Sequence, residues 1–116
     1  MDDKDIFDIE EALKMVDNDM EFFKELTSIF LENCPKQLGD IRDAIANNDA
    51  KLLERSSHGI KGSLGAFCAK SSHDIASKLE MMGRENNLNH VKEIYDTLEN
   101  EVNKLVSKLE MSIKER

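Results

Sequence analysis

The stretch SSHGIKGSLGAF, Ser56 to Phe67, sets a histidine, a lysine and three glycines on what otherwise reads as an amphipathic helix. A glycine inside a helix costs roughly 1 kcal/mol relative to alanine, and Gly59, Gly62 and Gly65 impose that cost three times in seven residues. At about 100° per residue, with Leu53 as zero, Ser57, Ile60, Leu64 and Phe67 fall within about 40° of one line. That line is the predicted buried stripe. On the same wheel His58 lies near about 140°, Gly62 near 180°, Gly65 near 120°, Lys61 near 80° and Arg55 near 200°. His58 therefore faces water. Gly62, at i+4, removes the side chain that would lie against the imidazole. Lys61, at i+3, can bring an ammonium beside whatever approaches, and Lys51, Arg55 and Lys61 make a local positive strip.

The helical period continues on both sides. Ile6, Ile9, Leu13 and Val16 outline a short first helix over Ile6 to Val16, and DNDM follows as a turn and N-cap. A long helix is predicted from about Met20 toward Ala46, carrying Phe22, Phe23, Leu26, Ile29, Phe30, Leu38, Ile41 and Ile45. Pro35 removes one backbone donor inside it, which predicts a kink or break near Asn33. NND at 47–49 ends that helix, and Asp49 can cap the next, which spans about Ala50 to Phe67. AKSSHD is a connection with Ser71 or Ser72 as N-cap, leading to a helix that reaches about Glu85. After ENNLN, the residues Val91, Ile94, Leu98, Val102, Leu105 and Leu109 keep a near-heptad repeat. Four substantial helices with short connections and one apolar stripe each predict an all-α, antiparallel four-helix bundle. The short additional N-terminal helix would cover one end, and no linker divides residues 1–116, so one domain is expected.

Composition narrows the function. The net charge of −8 at pH 7 repels phosphate backbones and anionic membrane surfaces, so neither nucleic acid nor a membrane is an expected partner. Cys34 and Cys68 stand far apart without metal-ligand spacing, which fits half-buried free thiols in a reducing cytoplasm. No run of 18 apolar residues exists and MDDKDIFD has no apolar core, so neither a membrane span nor a signal peptide is expected. His73 and His90 each read as a residue at a helix start, and His73 makes no zinc spacing with His58 and Cys68. Of the pair Met81 and Met82, one falls in the core stripe and the other outside it.

A carboxylate completes the group around His58. If the turn is centred near Ala69, His58 lies 11 residues before it and Glu80 lies 11 after. In an antiparallel pair both then sit ~16 Å from the turn, at the same level. Glu80 can accept from one ring nitrogen, fixing the tautomer and leaving the other nitrogen as a nucleophile. Arg84, at i+4 from Glu80, would stand on the same rim, as would Arg55. The pattern also fits an ordinary surface histidine beside glycines that permit close helix packing. A di-iron bundle is set aside, because the residues three before His58, His73 and His90 are Arg55, Lys70 and Asn87 rather than glutamate.

HGIKGSLGAFCA resembles the signature of histidine-containing phosphotransfer (HPt) domains, in which the histidine is followed at +3 by lysine and at +4 by glycine. Here these are His58, Lys61 and Gly62, with Ser63 and Phe67 at the small and apolar positions that follow. FFKELTSIFLENCPKQLGDIRDAIANND looks like the family's long second helix, and ASKLE places Glu80 where the family has a Glu or Gln against the histidine. Cys68 stands where the family usually has glycine, and Leu64 where it usually has a small residue. The resemblance implies a phosphorelay carrier, not an enzyme by itself, that takes phosphate onto His58 from a receiver aspartate and passes it to another. Lys61 would neutralise phosphate oxygens, Gly62 would admit the receiver, and Glu80 would orient the ring. It implies response-regulator receiver domains and a hybrid sensor kinase as partners of a monomeric domain. No cofactor is expected on the domain itself, the Mg²⁺ belonging to the receiver. The rival expectation is a helical interaction module that binds receivers without carrying phosphate.

Overall fold

The computed structural model describes residues 3–115, so that residues 1, 2 and 116 at the ends of the expected domain lie outside the described residues. Among the described residues six helices follow one another: α1 (Asp3–Ile6), α2 (Ile9–Met15), α3 (Met20–Ala46), α4 (Ala50–Ala66), α5 (Lys70–Arg84) and α6 (Val91–Glu115). Helices α3 to α6 form the bundle, each packed against its neighbours in chain order, with α6 closing back onto α3. At ~1.5 Å per residue α3 is about 40 Å long, which accounts for the 42 Å long axis of the molecule.

The N-terminal addition is present but comes in two pieces. The first stops at Ile6, and Asp8 starts the second, because its side chain accepts from the Glu11 N–H at 3.2 Å and so caps a new helix. Ile6, at the end of α1, and Phe7, within the break, are buried. Phe7 stacks on Phe23, Phe23 meets Phe67 edge-on, and Phe67 tilts against Phe30 at 5.2 Å. This aromatic plug closes the bundle end where α4 stops. Phe22 and Ile29, expected along the core stripe of α3, are instead 45% and 55% exposed. Helix α3 also runs through Pro35 without a break. The lost hydrogen bond costs about 3 kcal/mol, and the buried Phe30, Cys34, Leu38 and Ile41 that flank the proline outweigh it. On the far side of α3, Tyr95 ties α6 to it. Its hydroxyl donates to Glu99 at 2.9 Å and accepts from Arg42, and burial, with the Glu99 bond second, pushes the phenol up to about 12.

The connections explain how four helices fit so short a chain. At the end of α4 the Cys68 N–H donates to the Gly65 carbonyl and the Ala69 N–H to the Leu64 carbonyl, the paired bonds of a Schellman cap. Asn48 and Asn86 close α3 and α5 in the same way, and all three residues are left-handed, with φ of 51°, 53° and 53° for Asn48, Cys68 and Asn86. Because the α4 cap finishes at Ala69, α5 begins at once, and neither Ser71 nor Ser72 caps it. Ser72 is instead buried inside the helix, its hydroxyl directed to the Ala69 carbonyl at 3.5 Å. Asp49 does cap α4, accepting from the Leu52 N–H at 3.1 Å.

Cys68 pays a left-handed penalty of about 1–2 kcal/mol that glycine would avoid. Its thiol is free and half-buried beside Met15, whereas Cys34 is fully enclosed. Cys68→Gly is expected to stabilise the protein by up to about 1 kcal/mol, the rest being offset by glycine's freedom in the unfolded chain. Cys68→Ala, which keeps a Cβ, is expected to show no such gain in a thermal melt.

Candidate functional site

Helix α4 buries Leu53, Ser57, Ile60 and Leu64 and turns His58 outward, as the wheel requires. The His58 side chain is 69% exposed, and its Nδ1 lies 2.8 Å from Glu80 Oε2 on α5. Counting 11 residues either way from Ala69 therefore finds a real contact. Glu80 is only 7% exposed, and a carboxylate so placed needs partners. It has three. Lys61 Nζ reaches Oε1 at 2.5 Å, His58 Nδ1 and Arg84 Nη2 (3.3 Å) share Oε2, and both oxygens are thereby satisfied.

These contacts set the charge states. The Lys61 hydrogen bond, with the His58 bond behind it, holds the Glu80 carboxyl below the usual carboxylate range, although burial pushes the other way. An ionised carboxylate can only accept, so the facing Nδ1 must carry a proton. When the ring is neutral its lone pair is then on Nε2, for which the described residues offer no partner. The pH dependence follows. A carboxyl with a depressed folded pKa contributes stability that is complete above its unfolded value, 4.5 here, and is lost as pH falls through the folded value. Acid unfolding of the protein is expected to include this loss below about pH 4.5, and Glu80→Gln is expected to flatten that part of the stability profile.

The glycines divide into three kinds. A Cβ built on Gly59 or on Gly62 meets nothing within 4 Å, so both leave open surface beside His58. Gly65, on the same side of the wheel as His58, is covered by the His73 ring, 3.6 Å from where its Cβ would stand. Gly83 on α5 is a close-approach glycine against the backbone of α4.

Of the cations, Arg84 stands at the Glu80 rim and Arg55 is exposed, as expected, whereas Lys61 departs from its predicted place. Lys61 is 26% exposed and lies along Glu80 rather than projecting freely. Arg84 reaches back to α4, where its Nε donates to Glu54 Oε2 at 3.0 Å, as well as to Glu80. Arg55 is exposed one turn before His58 and makes no ion pair among the described residues. Sequence reading missed Glu54 and Gly83. The count that found Glu80 would also have found Glu54, since Glu54 and Arg84 stand 15 residues before and after Ala69.

Leu64 is fully buried, and Met82 packs on the core while Met81 is exposed, both as expected. No curated protein matches the chain in sequence. In fold it is similar to histidine-containing phosphotransfer protein B (HptB) from Pseudomonas aeruginosa PAO1, at 16% identity and a TM-score of 0.87, over 95% of this chain and 96% of that one. The family model for the Hpt domain matches residues 25–108, well over half of the chain. The chain belongs to the Hpt domain family, the histidine phosphotransfer carriers of phosphorelays.

Proposed function

We propose that His58 is the residue that carries the phosphoryl group, and that residues 1–116 act as one domain between receiver domains. The observation that carries this reading is the His58–Glu80 bond at 2.8 Å on a ring that is otherwise 69% exposed. Nε2 attacks the phosphorus of a receiver's aspartyl phosphate. The N–P bond forms as the acyl O–P bond breaks, and the receiver's aspartate leaves as a carboxylate. The Nδ1 proton stays in its bond to Glu80, so the charge that develops on the ring lies against a carboxylate. The reverse step delivers the group to the aspartate of another receiver. Such transfer rests on positioning and charge neutralisation more than on covalent machinery.

Gly62 leaves the approach to Nε2 open, and Lys61, one turn from His58, swings from Glu80 to the phosphate oxygens. Arg84 stays on Glu80 when Lys61 leaves, so the buried carboxylate keeps a cation. The Mg²⁺ of the reaction belongs to the receiver, and the domain acts as a carrier rather than a kinase. A hybrid sensor kinase and response-regulator receivers are its partners, and it works as a monomer in the cytoplasm. The net charge of −8 disfavours nucleic acid, and among the described residues no helix is long and apolar enough to cross a membrane.

Incubation with a phosphorylated receiver domain and Mg²⁺ tests the proposal. The expected result is a protein-bound phosphate that is acid-labile and alkali-stable. Binding of the receiver without any label would favour the rival interaction module.

A further inference from the structure

The His58–Glu80 bond joins two helices, so something must fix the distance between them. One turn away stands a contact with no slack. A Cβ on Gly83 of α5 would lie 2.6 Å from the Glu54 nitrogen, 2.7 Å from the Ala50 carbonyl oxygen and 2.9 Å from Glu54 Cα. All three atoms are backbone of α4, which cannot rotate aside. Ordinary nonbonded separations are about 3.5 Å or more, so any side chain at 83 forces α5 back by roughly 1 Å. Gly83 and Glu80 are three residues apart on α5, both buried, and Glu54 and His58 are four apart on α4, so the contact and the bond belong to one seam. Arg84 latches that seam from outside, with Nε on Glu54 and Nη2 on Glu80.

We propose that Gly83, with the Arg84–Glu54 latch, is a positioning element for the His58–Glu80 pair, holding α4 and α5 close enough for Glu80 to fix the proton on Nδ1. None of these three groups touches the reacting nitrogen; they act through Glu80. Withdrawal of α5 by roughly 1 Å opens the 2.8 Å bond to a length at which it no longer restricts the tautomer. The consequence for phosphate uptake rests on the role proposed above for His58, whereas the consequence for the tautomer does not.

The test uses the full chain with ¹⁵N-labelled histidine, its ring nitrogens observed by NMR at a pH where the ring is neutral. In the wild type the His58 signals are expected to show Nδ1 protonated and Nε2 bare. Gly83→Ala is expected to shift them toward an average of both tautomers and to slow uptake from phosphoramidate by roughly tenfold or more. Arg84→Met, which changes an exposed side chain and spares the backbone contact, is expected to shift both readouts the same way by a smaller amount.

A lowered melting temperature with unchanged ring signals in Gly83→Ala would make the contact structural only and overturn the proposal. If Gly83→Ala fails to fold, unchanged signals in Arg84→Met overturn it instead. A wild type that takes up no phosphate sinks the phosphotransfer role of His58 but leaves the ring signals to decide the clasp.

Discussion

His58→Gln is expected to take up no phosphate from a charged receiver while folding as the wild type does. Glutamine keeps an N–H that can reach Glu80, so the buried carboxylate retains a donor there in addition to Lys61 and Arg84. The replaced ring is 69% exposed and packs in no core, so the change in stability should stay within about 0.5 kcal/mol. What disappears is the lone pair. An amide nitrogen is no nucleophile, and removal of a nucleophile that acts with its partners as a unit lowers rates by on the order of 10⁴-fold or more. Label transfer and thermal unfolding measured on the same preparation separate the two effects. Retention of label by a folded His58→Gln protein would move the acceptor elsewhere.

Gly62→Gln is expected to improve the fold and damage the transfer. No atom lies within 4 Å of the Cβ it would add, so the side chain starts into open space. Replacing a mid-helix glycine then gains about 0.5–1 kcal/mol, or roughly 2–5 °C in a domain of this size. The added side chain stands one turn from His58 and covers the face by which a receiver must approach. Transfer from a receiver is expected to fall by about tenfold or more, since a displacement of ~1 Å in the reacting pair already costs as much. Gly59→Ala, equally open, tests the stability half of this statement by itself. A Gly62→Gln protein that melts higher and transfers at the wild-type rate would remove the steric role of the glycine.

Much of this was legible in the sequence because a helix obeys a fixed period. The wheel around Leu53 put Ser57, Ile60, Leu64 and Phe67 inside and His58 outside, and all five stand there. Counting from Ala69 put Glu80 level with His58 because rise per residue is constant. Period and rise give direction and height, but not the distance between helices. Gly83 was therefore invisible, since its meaning lies in the backbone of a different helix. The partner of Lys61 was obscure for a related reason, as a lysine reads as a surface charge until a buried carboxylate is found at its tip. Competing caps misled the reading elsewhere. Ser71 and Ser72 carry the right hydroxyls, yet the left-handed Cys68 finished one helix early enough to start the next at Lys70. Pro35 promised a break that the surrounding core suppressed.

A single imidazole nitrogen, freed because its twin is tied to a buried carboxylate, carries the whole mechanism. The most direct measurement is the site of attachment on the phosphorylated protein, read from the ¹⁵N and ³¹P resonances of the modified ring under alkaline conditions. The expected product is phosphate on Nε2 of His58, with the proton retained on Nδ1. Phosphate on Nδ1, or on any other side chain, would contradict it.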